Sequence, residues 1–364
     1  MKKLFAAFIV LILFQFSNAQ SSYFTISGKV LDAETKLPMQ GASVFAENTT
    51  LGTTTGRDGT FALQLPNGGY DLVISFTGYN TESKHISNNE QGELSFFMNP
   101  KEKLLQTVSV AATGEVKDGW EKYGSFFLEQ FIGKTSNSSS CSIKNADVLK
   151  FFFSKKRNRL KVLASEPLLI ENNALGYNIR YTLDSFTHEY SNQVSLYTGY
   201  PLFEEKTPAS ESEGLKWKTA RQKAYNGSVL HFMRSVYNRD MSEQGFEVQY
   251  IVKINEQDSA LKLKNFYSAL NYKKDDSTAI VQIMPNQQRL GVIFVKEKPD
   301  PAYLTENPAD PSDFQFSLLS FLPGKQLTIE QNGYYSDQND VTINEYWSWT
   351  KMADALPYDY VITP

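Results

Sequence analysis

Histidine and cysteine are scarce here: three histidines, His85, His188 and His231, and one cysteine, Cys141, in 364 residues. A single cysteine rules out an intramolecular disulfide and any cysteine-rich zinc site. Cys141 lies in CSIKN, just before an apolar run, and reads as a small buried residue, since a reactive thiol needs a base or positive neighbour to lower its pKa. The histidines also fail the pattern of a zinc carboxypeptidase, which holds its metal with H-x-x-E and a second, distant histidine. Three residues beyond them stand Asn88, Ser191 and Arg234. Glu82 and His85 have the reversed spacing, in what reads as a loop at a strand edge. No metal or cofactor is therefore expected.

Basic residues are not in excess: 36 Lys and Arg face 40 Asp and Glu, a net charge of −4. That balance disfavours general nucleic-acid binding. P-loop, dinucleotide and EF-hand patterns are missing as well. Gly52-Thr53-Thr54-Thr55-Gly56 reads as a spacer between strands. Beyond the N-terminal segment no apolar run reaches the roughly 20 residues of a spanning helix. What the chain has in quantity is aromatic: 25 Phe and 20 Tyr, which favours sheet. Apolar residues at 41% and charged residues at 21% fit globular domains rather than a disordered tail. The length points to two or three of them.

Residues 1–19, MKKLFAAFIVLILFQFSNA, have the form of a secretory signal peptide. Lys2 and Lys3 make a positive start, Leu4 to Phe16 is almost continuously apolar, and Ser17-Asn18-Ala19 offers a small residue at the cleavage edge. Cleavage there would leave Gln20 first, and loss of the two lysines would take the net charge from −4 to −6. The expected location is extracytoplasmic: periplasmic, outer-membrane associated or secreted.

Residues 24–99 alternate short strands and turns. FTISGKVLD, ASVFAEN, YDLVISFTGY and ELSFFMN read as strands. GTTTGRDGTFALQL reads as a hairpin turning at Arg57-Asp58-Gly59, with Phe61, Leu63 and Leu65 on one face. Such spacing fits a small antiparallel sandwich. The runs GKVLDAET, PMQGASV, TTTGRDGTFAL and GGYDLVISFTGY resemble the carboxypeptidase regulatory-like domain. The resemblance implies a transthyretin-like β-sandwich, and a module that accompanies catalytic domains without catalytic residues of its own.

Residues 100–117 read as a linker whose middle alternates like a strand. Leu104 to Thr113 is a degraded likeness of the segment that follows this domain in TonB-dependent receptors, but too little chain remains for a plug and barrel.

Residues 118–364 mix helices and strands without regular βαβ alternation, so an α+β domain with a mainly antiparallel sheet is expected. Trp120, Tyr123, Phe127 and Phe131 mark one helix face, with Asp118 as its cap. KFFFSKKRNRLKVLA reads as a hairpin with a basic turn. Residues 214–241 read as a helix interrupted at Asn226-Gly227-Ser228, with Ser228 capping the second half. FLEQFIGKT, CSIKNADVL, EPLLIENNALGYNIRYTL and AYNGSVLHFMRSV resemble a second block found behind the regulatory-like domain in bacterial envelope proteins. That likeness implies an extracytoplasmic address and brings no reaction with it.

Two polar strings are the candidate ligand-binding residues. Ser228, His231 and Arg234 repeat at i, i+3 and i+6, and Arg221 and Tyr225 at i, i+4. Glu171, Tyr177 and Arg180 lie in the strand block. A Ser-His pair three apart does not make a nucleophile, because the base must reach the hydroxyl and be oriented by a third group. No residue is assigned a catalytic role. The leading reading is a non-catalytic binding or docking protein of the bacterial envelope, whose partner is an envelope or outer-membrane protein, a peptide or a glycan. The alternatives are a hydrolase of envelope or nutrient polymers and an accessory subunit of an outer-membrane uptake or assembly complex. A binding module would show an exposed aromatic strip, with Trp347 and Trp349 as candidates.

Overall fold

The computed structural model describes residues 23–88, 90, 92–101, 115–336 and 338–362. The leader read at 1–19 and the middle of the junction, 102–114, lie outside the described residues. Three hydrophobic cores organise the rest.

The first core is that of a two-sheet sandwich. Its strands are β1 (Tyr23–Asp32), β2 (Ser43–Ala46), β3 (Gly52–Thr54), β4 (Thr60–Pro66), β5 (Tyr70–Ser75), β6 (Glu82–Ile86) and β7 (Glu93–Met98). The sheets run β4-β1-β7 and β3-β2-β5-β6. All pairs are antiparallel except β1 with β7. Alternation does the folding: Phe61, Leu63 and Leu65 of β4 point inward, and Ala62 and Gln64 outward. They meet Val44, Leu72 and Ile74 from the facing sheet, each contributing about 1.5–3 kcal/mol by leaving water.

Two local expectations are corrected here. The turn at Arg57-Asp58-Gly59 joins strands of different sheets, because β3 pairs with β2 and β4 with β1. The segment around Glu82 and His85 is edge strand β6, whose ESKHI sequence has one buried position and so no visible alternation.

The middle core lies under a six-stranded antiparallel sheet: β8 (Cys141–Ile143), β9 (Leu149–Ser154), β10 (Arg159–Ala164), β11 (Leu168–Asn172), β12 (Tyr177–Glu189) and β13 (Val194–Glu205). Long β12 pairs with β11 through its first half and with β10 through its second, while β13 follows its other edge. Helix α1 (Gly119–Phe131) lays Phe127 and Phe131 on Phe151, Phe186 and Tyr181. Asp118 sits at its start but makes no side-chain cap. Cys141 is half-buried, and burial pushes its thiol up to about 12, which keeps it unreactive.

The third core is built by α3 (Val229–Asn238) against β14 (Phe246–Ile254), β18 (Arg289–Phe294) and β19 (Gln315–Phe321), with Trp347. Strands β15 (Gln257–Lys262) and β22 (Val341–Glu345) close that sheet, in the order β15-β14-β18-β19-β22. A small sheet of β16 (Lys273–Asp275), β17 (Ile280–Ile283), β20 (Leu327–Ile329) and β21 (Tyr335–Ser336) caps it. The fold class is therefore a sandwich followed by sheet-rich, mainly antiparallel α+β structure.

Helix α2 (Glu211–Tyr225) and α3 are separated where the sequence breaks. Gly227 adopts φ +73, and a Cβ there would lie 2.4 Å from Gln315 Oε1 and 2.8 Å from the Phe294 ring. Only glycine fits both constraints. Ser228 then accepts the His231 amide as the cap of α3. After residue 350 the chain returns to the middle core, where Met352 and Leu356 are buried and Asn172 Nδ2 donates to the Ala353 carbonyl at 2.9 Å.

Candidate functional site

The returning tail, α2, the ends of β12 and β13 and one sandwich loop converge on a cleft of about 430 Å³. That size lies within the range of small-ligand sites. Its walls include Tyr177, Trp217, Tyr360, Glu205, Asp359 and Thr50. Arg221 lies over the Tyr177 ring at 4.0 Å and is held there from three sides. Its Nε donates to the Leu175 carbonyl at 2.7 Å, and its two terminal nitrogens donate to the Gly176 carbonyl and to Glu205 Oε1. Trp217 stands one turn before Arg221, and its Nε1 donates to the Asn173 carbonyl at 2.9 Å. The Tyr177 hydroxyl is buried and has no hydrogen-bond partner among the described residues. Burial raises its pKa, with Arg221 opposing and Glu205 and Asp359 adding to the rise.

The cleft is sealed by the sandwich. The Thr50 amide donates to Asp359 Oδ1 at 3.0 Å and its hydroxyl to Oδ2. The preceding residues add backbone bonds: Asn48 N to the Pro201 carbonyl, Phe203 N to the Thr49 carbonyl, and Tyr358 N to the Asn48 carbonyl. Thr49 thereby forms a parallel bridge with Leu202 and occupies the outer edge of β13 there.

A second part of the same seam lies at 330–334. Asn332 exchanges hydrogen bonds with Gly69, donating to its carbonyl at 2.8 Å. A Cβ on Gly68 or Gly69 would fall 2.4 Å from Asn332 or Glu330, so two glycines set how closely the parts approach. His85 stacks on Tyr334 and lies between Asp71 Oδ1 at 3.3 Å and Glu330 Oε1 at 3.2 Å. Those hydrogen bonds, Asp71 first, raise its pKa to about 9. Nearby Glu47 is raised to about 8, by burial first and then by Asp71 and Asp184.

Of the sequence candidates, Arg221 and Tyr177 meet in the cleft. Glu171 stands behind it: its oxygens accept from Lys206 at 2.9 Å and Lys144 at 3.0 Å, which lowers its pKa to about 2. Arg180 is exposed and separates from Tyr177, because residues three apart on a strand point to opposite faces. Arg234 clamps the tail, donating at 2.9 Å to the carbonyls of Asn332, Tyr358 and Tyr360, with Tyr225 stacked beneath it. Ser228 is spent on the helix cap.

His231 is buried and fully engaged. Its Nδ1 accepts the Gly227 amide at 3.2 Å, and its Nε2–H donates to Gln244 Oε1 at 3.2 Å. Burial, the largest cause, lowers its pKa to about 4. Neither nitrogen meets a carboxylate, so the pair with Ser228 is helix architecture. Trp347 is buried, with Nε1 on the Gly227 carbonyl, so it forms no exposed strip with Trp349. Thr50, Glu205, Trp217, Asp359 and Tyr360 were missed as cleft residues. Only Trp217, at i−4 from Arg221, left a spacing that could have revealed it.

Among the described residues no group of three His, Cys, Asp or Glu side chains is placed to hold a metal ion, and no helix is long and apolar enough to cross a membrane.

No curated protein matches the chain. Among solved structures, a DUF3823 family protein from Bacteroides ovatus is 12% identical, with 52% of this chain and 83% of that one covered and a TM-score of 0.19. Another from Parabacteroides merdae is 12% identical, covering 55% and 87%, with a TM-score of 0.18. A putative membrane-associated protein of unknown function from Bacteroides fragilis is 12% identical over 89% and 98%, with a TM-score of 0.18. The family model of the CarboxypepD_reg-like domain matches residues 26–110, so the N-terminal sandwich is a carboxypeptidase regulatory-like domain.

Proposed function

We propose that this is a non-catalytic binding protein of the bacterial cell envelope, in which the regulatory-like domain docks in cis and completes a ligand cleft on the α+β part. The leader-like segment at 1–19 supports the extracytoplasmic address. The observation that carries the reading is the cleft itself: the returning tail, α2, the ends of β12 and β13 and a sandwich loop, far apart in the sequence, are brought together to build it. A hydrolase reading centred on His231 loses its base, since both ring nitrogens are already committed.

The test is a thermal-shift screen of residues 20–364 with saccharides, peptides and small metabolites, run in parallel on Tyr360→Ala. A true ligand at one hundred times its Kd adds about 2.7 kcal/mol to wild type and much less to the variant. Equal stabilisation of both proteins, or of neither, refutes the reading. Turnover of any compound that His231→Ala abolishes at unchanged Tm replaces it with the hydrolase. Amino-terminal sequencing of the protein from fractionated cells tests the address, with Gln20 expected first.

A further inference from the structure

The five-stranded sheet β15-β14-β18-β19-β22 has two faces, and the third core uses one of them. Tyr250, Leu290 and Leu319 point into that core. Alternation turns their neighbours to the other face, and the register sets these side by side: Ile251 opposite Ala260, Gly291 opposite Leu318, Ile293 opposite Phe316. Asp310, Pro311 and Phe314, from the segment leading into β19, wall this outer face and leave a hollow of about 330 Å³. That is the lower end of the range of small-ligand sites.

The floor is apolar. A Cβ on Gly291 would fall 2.8 Å from the Phe316 ring and 3.0 Å from Ile251 Cδ1, so those two side chains close over bare backbone. Gln315 is buried on the core side, which sends both Phe314 and Phe316 to the outer face, where each keeps surface open to water. The charges around the hollow do not balance. Asp258 takes Arg289 in a bidentate pair at 2.7 and 2.8 Å, and Lys253 lies near enough to bear on it. Asp310 accepts the Tyr303 hydroxyl and has no ion pair among the described residues. Glu345 leaves the end of β22 with φ +60, beside Asp310 and Arg289, which bear on its ionisation in opposite directions. Its carboxylate is half-buried and has neither a hydrogen bond nor an ion pair among the described residues.

Two phenyl rings and two carboxylates without a cation, set around an apolar floor, are the parts of an ammonium site. The ring faces attract positive charge, a carboxylate takes the N–H groups in charge-assisted hydrogen bonds, and the floor takes a hydrocarbon body. An anion would meet Glu345 and Asp310, with Arg289 already held by Asp258. We propose that this hollow is a second binding site, separate from the cleft, which takes a small organic ammonium ion: its charged head against Glu345 and Asp310, its apolar body on Phe316, Ile251 and Leu318.

Isothermal titration of residues 20–364 at pH 7 tests this with phenethylamine, a cation at that pH, as the probe. 2-Phenylethanol is its neutral analogue and 3-phenylpropionate its acidic one. The amine is expected to bind with a Kd of about 1 mM, the alcohol about tenfold more weakly and the acid not at all. Glu345→Gln keeps the shape of the side chain and should weaken the amine about tenfold while leaving the alcohol unchanged. Phe314→Ala should weaken both. If Phe314→Ala fails to fold by its Tm, the Glu345→Gln comparison decides alone. Equal affinity for amine and alcohol, preference for the acid, or an unchanged amine affinity in Glu345→Gln overturns the ammonium assignment. Loss of amine binding in Tyr360→Ala but not in Glu345→Gln puts the amine in the cleft and overturns this site. No binding of any of the three probes removes it.

Discussion

His85 at the docking seam and His231 at the α2–α3 break meet opposite fates. His85 is part-exposed but lies between two carboxylates, and its pKa rises to about 9. His231 is shut away from water with an amide on one nitrogen and a glutamine on the other, and its pKa falls to about 4. At neutral pH the first is a cation that ties two parts of the chain together, and the second is a neutral wedge in a core. Carboxylate partners raise the first and burial lowers the second, so neighbours and exposure to water together decide which work a histidine does.

The contrast gives stability two limbs of opposite slope. Of the two histidines, His231 has the larger effect. Its folded pKa is depressed, so its contribution is complete above the unfolded value near 6.5 and is lost as pH falls from there through 4. Its size is on the order of 3 kcal/mol, from about 1.4 kcal/mol per pKa unit. Lys296 and Arg234 help keep the ring neutral, while Gln244 and Asp240 oppose them. His231→Gln is expected to flatten the urea-denaturation profile between pH 4 and 6.5. A profile as steep as wild type would show that the acid limb comes from elsewhere.

The second limb belongs to the seam. The folded pKa of His85 is raised, so its contribution is complete below about 6.5 and is lost as pH rises through 9. Glu47 adds a slope of the same sign, since holding its proton up to about pH 8 makes the folded state less favourable as pH climbs from 4.5. Because half the His85 side chain faces water, its share is screened to roughly 1 kcal/mol. His85→Gln is expected to cost about that much at pH 7 and to remove the loss between pH 7 and 9 in a Tm series. Glu47→Gln should remove the other share. If both variants keep the alkaline slope of wild type, the seam is not titrating.

Much of this was legible in the sequence, for identifiable reasons. β4 and the first half of β12 could be read because they alternate, and the α2–α3 break because Asn226-Gly227-Ser228 combines a positive-φ glycine with a cap. Strand β6 was hidden because an edge strand need not alternate. The cleft was hidden for a different reason. Tyr177, Trp217 and Asp359 belong to a strand, a helix and a returning tail, and no local period links them. Arg234 looked like a ligand residue because a half-buried arginine's use, here three backbone carbonyls, depends on segments about a hundred positions away.

The smallest effect tests the rule from its other side. Arg180 shares strand β12 with Tyr177 and was read with it as part of one site. Its side chain faces water on the opposite face, where neither burial nor a fixed partner gives its charge work to do. Arg180→Ala should stay within about 0.5 kcal/mol of wild type in denaturant titration, because surface substitutions away from packed or paired groups change stability little. It should also leave the affinity of any cleft ligand found in the thermal-shift screen unchanged. A clear loss of affinity with intact stability would move the binding surface to the outer face of the sheet, beside Leu169 and Leu202 in the register, and would take the ligand away from the cleft.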